Sequence, residues 1–190
     1  EPMLRHLLQN KFTFSIMYFY DENFMLPLSH DEVVHGKSPM LYKMPGDEWQ
    51  KFASLRLLYT YMYTHPGAKL LFMGNEFAAT SEWNYKTELQ WDLLQFPSHG
   101  GMKYCVQKLN ELYRDEPALY EKQFEPGGFE WGDLTKGHDA VLSYIRKGNK
   151  HKDDVIVILN MTPVVRHDWE MYVHGKGDWK EIFNSDSKEF

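Results

Sequence analysis

The chain has 190 residues, of which 43% are apolar, and this is enough for one medium domain or two small ones with a buried core. Its formal charge of -6 and its pI near 5.8 argue against a nucleic-acid partner, because phosphate recognition depends on clustered Lys and Arg. No apolar run approaches the roughly 18 residues that a membrane span needs.

A single cysteine, Cys105, excludes an intramolecular disulfide and fits a reducing compartment. It falls within a helical apolar pattern, so we expect a buried thiol rather than a nucleophile. No signal-like segment opens the chain. We therefore expect a cytoplasmic protein without a membrane partner.

The first part of the chain predicts alternating helices and strands. Residues 4–20 fit a helix, although residues 12–16 also alternate like a strand. Residues 24–28 form a short apolar run that is typical of a buried strand, and it ends abruptly in polar residues. After a turn at 45–47, apolar residues recur at three- and four-residue spacing up to residue 65, which predicts a helix. Its apolar positions are Trp49, Phe52, Leu55, Leu58 or Tyr59, and Met62.

The pattern then repeats. Residues 69–73 predict a second buried strand, and it runs directly into Gly74, Asn75 and Glu76. A strand, a helix and a second strand, each strand with a polar tip, indicate a parallel sheet whose ligands gather beyond the carboxyl ends of the strands. The long loop at 80–98 is of a kind that is often functional, and a helix is predicted from 101 to about 115.

After residue 122 the pattern changes. Glycines punctuate short alternating runs at 141–145 and 155–159, which predict a small antiparallel β domain. Residues 147–154 are predicted to form a charged hairpin loop. We therefore expect two parts, residues 1–122 and residues 123–190.

The strongest candidate site follows the first predicted strand. His30, Asp31, Glu32 and His35 place two carboxylates and two imidazoles within six residues. Such groups are costly to bury unless they are paired or bind a polar ligand. The alternative is a hydrogen-bonded strand terminus without a ligand. A zinc-protease site is excluded by spacing, because its two histidines are four residues apart on a helix and these are five apart.

Other sites are weaker. No Gly-x-Ser-x-Gly elbow occurs, and no phosphate-binding loop occurs. Residues 74–76 could be an ordinary strand-to-loop turn. The aromatic residues of the chain are individually more typical of packing than of sugar binding. Those weighed for sugar binding are Trp49, Trp83, Tyr85 and Trp91.

The segment around residue 30 resembles the fourth conserved region of the glycogen (1,4-alpha-glucan) branching enzymes, in the alpha-amylase superfamily. The residues that carry the resemblance are His30-Asp31-Glu32-Val33-Val34-His35-Gly36-Lys37. It continues at 44–47, 49–53, 69–77, 126–131, 166–168 and 184–187, and so covers essentially the whole chain.

The resemblance implies an α/β plus all-β fold. Residues 1–122 would be the last two strands and helices of a (β/α)8 TIM barrel, and residues 123–190 the first part of a truncated antiparallel β-sandwich. A whole barrel takes about 250 residues, so this chain cannot contain one. We expect that both ends are cut, and that an exposed barrel edge makes the fragment self-associate.

The resemblance also implies a transferase without metal or organic cofactor. It cleaves an α-1,4-glucan and passes the piece to a 6-hydroxyl, making α-1,6 branches in glycogen. Asp31 would be the carboxylate that stabilises the transition state, and His30 would bind the same sugar. Glu32, Asn75 and Glu76 would also belong to the substrate-binding residues, and together with His35 they would support the loop and the pocket floor. The nucleophile and the acid/base would lie outside this chain, so the chain alone would be inactive.

A different class of function stays open, namely a non-catalytic carbohydrate-binding module. It would use the Trp and Tyr residues of the loop at 80–98.

Overall fold

The structure, a computed structural model, describes residues 2–133, 139–174 and 177–190. Contacts between Cα atoms divide the chain into two units. The first unit comprises residues 1–24, 64–67 and 113–182. The second unit comprises residues 25–63, 68–112 and 183–190. Among the described residues, no helix combines the length and the apolar character that a membrane span needs.

The N-terminal segment is helical, as predicted, but it is divided into short pieces. A 3-10 helix at Pro2–Leu8 precedes the α-helix α1 at Gln9–Thr13, and a second 3-10 helix follows at Phe14–Met17. Thr13 and the aromatic residues beside it have weak helix propensity, and the Thr13 hydroxyl donates back to the carbonyl of Gln9 at 3.3 Å. A continuous helix is therefore not maintained here.

Strand β1 (Met25–Leu28), helix α2 (Glu48–Thr64) and strand β2 (Ala68–Leu71) form a parallel strand-helix-strand unit. Met25 lies opposite Ala68, and Leu28 lies opposite Leu71. The predicted parallel pairing is confirmed. The prediction that both strands are buried is wrong, because their residues are half-buried or exposed. Within the described residues each strand pairs only with the other, so no further strand covers its outer edge.

Helix α2 begins at a reciprocal cap. The Asp47 carboxylate accepts from the Gln50 N–H at 2.9 Å, and the Gln50 side chain accepts from the Asp47 N–H at 3.0 Å. Trp49 is 64% exposed, so the prediction that it belongs to the buried apolar face of the helix is wrong. It lies in the first turn, ahead of the buried part of the helix. The buried positions are Phe52, Leu55, Tyr59 and Met62, as predicted.

Helix α3 (Pro97–Asp115) begins four residues before its predicted start. Pro97 is the first helical residue, a position where a missing N–H costs nothing. Cys105 is fully buried, as predicted, and burial raises the pKa of its thiol to about 12. A neutral, inaccessible thiol of this kind is part of the helix packing.

The predicted antiparallel β region is confirmed. Strands β3 (Phe129–Trp131), β4 (Val141–Arg146) and β5 (Val155–Asn160) form one sheet in that order. All six residues of the central strand β4 are buried, whereas β5 alternates between its two faces. The charged segment 147–154 connects β4 to β5, as predicted. No further strand follows β5 in the described part of the chain.

Candidate functional site

The polar segment after β1 folds into a 3-10 turn at His30–Val33. The Ser29 hydroxyl accepts from the Asp31 N–H at 3.2 Å and donates to a Glu32 carboxylate oxygen at 3.0 Å. A serine followed three residues later by a glutamate is a typical helix-start pattern. The sequence therefore turns the chain sharply where β1 ends, and Glu32 supports that turn.

Asp31 projects from this turn into solvent, with its side chain 67% exposed. The Lys37 ammonium donates to Asp31 Oδ2 at 2.9 Å. The hydrogen bond and the charge of Lys37 hold the pKa of the Asp31 carboxyl below its ordinary value, and His30 adds a smaller effect in the same direction. The carboxylate thus stays ionised to a lower pH, as an acceptor that an incoming hydroxyl group can reach.

The second predicted group of site residues follows β2. Gly74, at φ +88°, turns the chain into a short 3-10 helix at Asn75–Phe77. Asn75 is only 4% exposed, and its carbonyl accepts from the Tyr59 hydroxyl at 3.0 Å. Its side-chain Nδ2 is buried and has no hydrogen-bond partner among the described residues. Glu76 is half-buried.

Aromatic rings connect the ends of the two strands. The His30 ring lies 5.6 Å from the Trp83 ring and 6.1 Å from the Phe72 ring, between ring centroids. Phe72 and Trp83 meet edge to face at 5.6 Å. Tyr85 lies 6.4 Å from Trp83 and is 76% exposed. Trp83 is thus half-buried in a cluster, and Tyr85 extends that cluster into solvent.

The predicted site residues therefore lie at one edge of the two-stranded sheet. Parallel pairing puts the carboxyl ends of β1 and β2 side by side, and the Phe72 N–H continues the ladder to the Leu28 carbonyl at 2.9 Å. His30, Asp31 and Glu32 share one turn, whereas Asn75 and Glu76 belong to the next.

Sequence reasoning assigned no role to Glu82. One of its carboxylate oxygens accepts from the Ser38 N–H at 2.8 Å, and the other lies 3.3 Å from His35 Nδ1. Hydrogen bonds from the N–H groups of Ser38 and then Gly36 lower the pKa of Glu82, and His35 contributes further. No local sequence signal marks this residue, because its partners lie in a distant loop.

A metal site would need several ligands close together. No group of three or more His, Cys, Asp or Glu side chains that could hold a metal ion occurs within residues 2–133, 139–174 and 177–190. Asp31 is instead paired with an ammonium group, and His35 with a carboxylate.

Comparison with known proteins gives two results. Residues 131–190 match the family described as the alpha amylase C-terminal all-beta domain. The whole chain is 51% identical over 190 residues to the 1,4-alpha-glucan branching enzyme GlgB of Aquifex aeolicus and covers 30% of its length. It is 52% identical over 190 residues to the protein of the same name from Oceanobacillus iheyensis, again covering 30%.

A third relative, from Marinobacter nauticus, bears the same name and is 50% identical over 188 residues. The chain thus spans about 30% of the length of these three curated relatives. The resemblance to branching enzymes is confirmed along the whole chain, and the all-β character of its last third is confirmed by the domain match.

Proposed function

We propose that this chain is part of a 1,4-alpha-glucan branching enzyme of glycogen biosynthesis. The enzyme would be a glycosyltransferase that cleaves an α-1,4-glucan and joins the segment to a 6-hydroxyl group as an α-1,6 branch. Its substrate would be glycogen or amylose, and its compartment the cytoplasm. The observation that carries the proposal is the identity of about one half, over the whole chain, to proteins of that name.

The proposed architecture divides the chain into residues 1–122, the end of a (β/α)8 barrel, and residues 123–190, the beginning of a C-terminal β-sandwich. The parallel pair β1 and β2 with its crossover helix α2 supports the first part. The antiparallel sheet of β3, β4 and β5 supports the second. The chain alone would be inactive, because the nucleophile and the acid/base would belong to strands outside it.

Asp31 would stabilise the transition state without forming a covalent bond to the sugar. Retaining transfer uses two carboxyl groups about 5 to 5.5 Å apart, and Asp31 would be a third one beside them. A fixed, ionised acceptor on a ring hydroxyl binds more strongly as positive charge develops on the sugar. The Lys37 contact, which favours the ionised form of Asp31, supports this role.

The other candidates would have supporting roles. His30, held against Trp83, would hydrogen-bond the same sugar. Glu32 would hold the turn through Ser29. Asn75 and Glu76 would form the floor of the sugar-binding pocket. The buried Nδ2 of Asn75 has no hydrogen-bond partner among the described residues, and a polar ligand would supply one.

The test is an iodine-stained amylose assay of branching by the full-length protein that contains this chain. We expect Asp31→Ala to lower kcat on the order of a hundredfold or more with an unchanged melting temperature, because one preorganised electrostatic contact is lost. Asp21→Ala, at an exposed aspartate, is the matched control. Retained activity in Asp31→Ala would overturn the role of Asp31.

The aromatic cluster of His30, Trp83 and Tyr85 favours one other candidate, a non-catalytic carbohydrate-binding module. Amylose binding separates the two. The module is favoured if the full-length protein binds amylose without branching it. In that case binding should survive Asp31→Ala and be lost in Trp83→Ala.

A further inference from the structure

The loop after Asp31 contains an unusual backbone. Gly36 and Ser38 both have positive φ values, of 84° and 65°, with Lys37 between them. Glycine adopts this left-handed conformation without steric cost, but for a serine it is unfavourable because of Cβ. Something outside the loop must therefore hold Ser38 in place.

Glu82 makes the contacts that hold this loop. Its carboxylate accepts the Ser38 N–H at 2.8 Å, and it contacts His35 at 3.3 Å with its second oxygen. The lowered pKa of Glu82 reflects hydrogen bonds from Ser38 and Gly36. The Ser38 N–H is thus held by a carboxylate from another loop of the same molecule.

The residue between Gly36 and Ser38 is Lys37, whose ammonium pairs with Asp31 at 2.9 Å. The Lys37 N–H itself donates to the Val34 carbonyl at 3.0 Å, so the backbone on both sides of its Cα is fixed. The Trp83 N–H, next to Glu82, donates to the Val33 carbonyl at 2.7 Å. Glu82 and its neighbour thus fasten the loop at 80–98 to the segment that carries Asp31 and Lys37.

We propose that Glu82 is a positioning residue that orients Lys37, and through it the Asp31 carboxylate, by holding the backbone of residues 36–38. This inference rests on the proposed function, because its effect on catalysis passes through Asp31. Glu82 itself would act through the loop, since both of its oxygens contact loop residues.

The first test compares variants of the full-length protein in the amylose branching assay. Glu82→Gln removes the charge and one of the two acceptor oxygens, while keeping the size of the side chain. We expect kcat to fall about tenfold to a hundredfold with KM changed less than about threefold, as for a misplaced transition-state contact. Glu88→Gln makes the same charge change at an exposed glutamate of the same loop and should match the unmodified protein.

A second change tests the backbone explanation. Adding Ser38→Gly to Glu82→Gln removes the steric cost of the left-handed residue, so we expect it to recover a large part of the lost kcat. A double variant that is no more active than Glu82→Gln would overturn the proposed mechanism.

Hydrogen exchange followed by mass spectrometry provides a readout independent of activity. Glu82→Gln should speed exchange in peptides that cover residues 34–39 and leave helices α2 and α3 unchanged. Faster exchange across the whole chain would instead indicate a general loss of stability, and would overturn the inference even if activity fell.

Asp31→Ala in the same branching assay separates a failure of the inference about Glu82 from a failure of the proposed role of Asp31. If Asp31→Ala loses activity and Glu82→Gln does not, only the inference about Glu82 is wrong. If Asp31→Ala keeps full activity, the proposed role of Asp31 is wrong and the positioning role is overturned with it.

Discussion

Lys37 lowers the pKa of Asp31, the most important candidate residue. Asp31 and Lys37 are both largely exposed, so their attraction is weakened by water and by salt. Even so, Lys37 is the leading cause of the lowered Asp31 pKa. An acid with a lowered pKa stays ionised to a lower pH. Lys37 therefore extends, to lower pH, the range in which Asp31 can act as an acceptor.

We expect Lys37→Met to move the acidic limb of kcat/KM toward higher pH. Without the ammonium, the Asp31 pKa rises toward its ordinary value, and Asp31 becomes protonated earlier as the pH falls. The measurement is a pH profile of amylose branching by the full-length protein, with Lys103→Met at an exposed helical position as the control. Molar salt should move the acidic limb of the unmodified protein in the same direction. An unchanged acidic limb would contradict a role for this ion pair.

Individual residues were predictable where their partners are close in sequence. The caps at Asp47 and Ser29 involve residues three positions away, and sequence patterns detect such pairs. Glu82 was not predictable, because its partner Ser38 lies 44 residues away in another loop. Its importance depends on the parallel pairing that brings the two loops together.

At the scale of elements, the central strand β4 ends in a buried cation. Arg146 is fully buried and donates to the carbonyls of Thr64, Leu119 and Gly128, at 2.7, 3.2 and 3.3 Å. Burial lowers its pKa to about 10, so the guanidinium is still charged at neutral pH. Thr64 is the last residue of α2, where a cation also opposes the negative end of the helix dipole. One side chain thus ties together a helix end and two turns.

We expect Arg146→Met to lower the free energy of unfolding by about 2 to 4 kcal/mol, because three carbonyls each lose a hydrogen bond from the guanidinium. Removing a desolvated charge offsets part of this loss, but the loss of three hydrogen bonds outweighs it. Calorimetry of the full-length protein and hydrogen exchange in β4 peptides measure the effect. Lys150→Met, at an exposed position in the next loop, should change stability by less than about 0.5 kcal/mol. Equal stability of the two variants would refute the structural role of Arg146.

The types of these elements followed from the sequence, whereas their burial did not. Apolar spacing predicted α2 and α3, and turn residues predicted the hairpin between β4 and β5. The same apolar character wrongly predicted buried β1 and β2, because burial of a strand depends on neighbours that its own sequence does not specify. It also gave no indication that β4 would be covered on both faces.

At the scale of the whole molecule, the first unit exposes many apolar side chains along its N-terminal segment. Leu7, Phe14 and Met17 are 69%, 59% and 82% exposed. Leu4, Leu8 and Tyr18 are also exposed in this segment. An apolar strip of this kind marks a surface that another part of a protein covers. In the proposed enzyme, the remaining strands and helices of the barrel would cover it.

The 190-residue chain, produced alone, should therefore self-associate, because the apolar strip is exposed and no further strand pairs with the outer edges of β1 and β2 within the described residues. Sedimentation velocity over a concentration series should show oligomers that grow with concentration. Phe14→Lys combined with Met17→Lys should shift the distribution toward monomer, whereas Val165→Lys, at another exposed apolar position, should not. A monomer at every concentration would mean that these surfaces do not drive association. The oligomeric state of the full-length protein should not depend on Phe14 or Met17, since its own barrel would cover them.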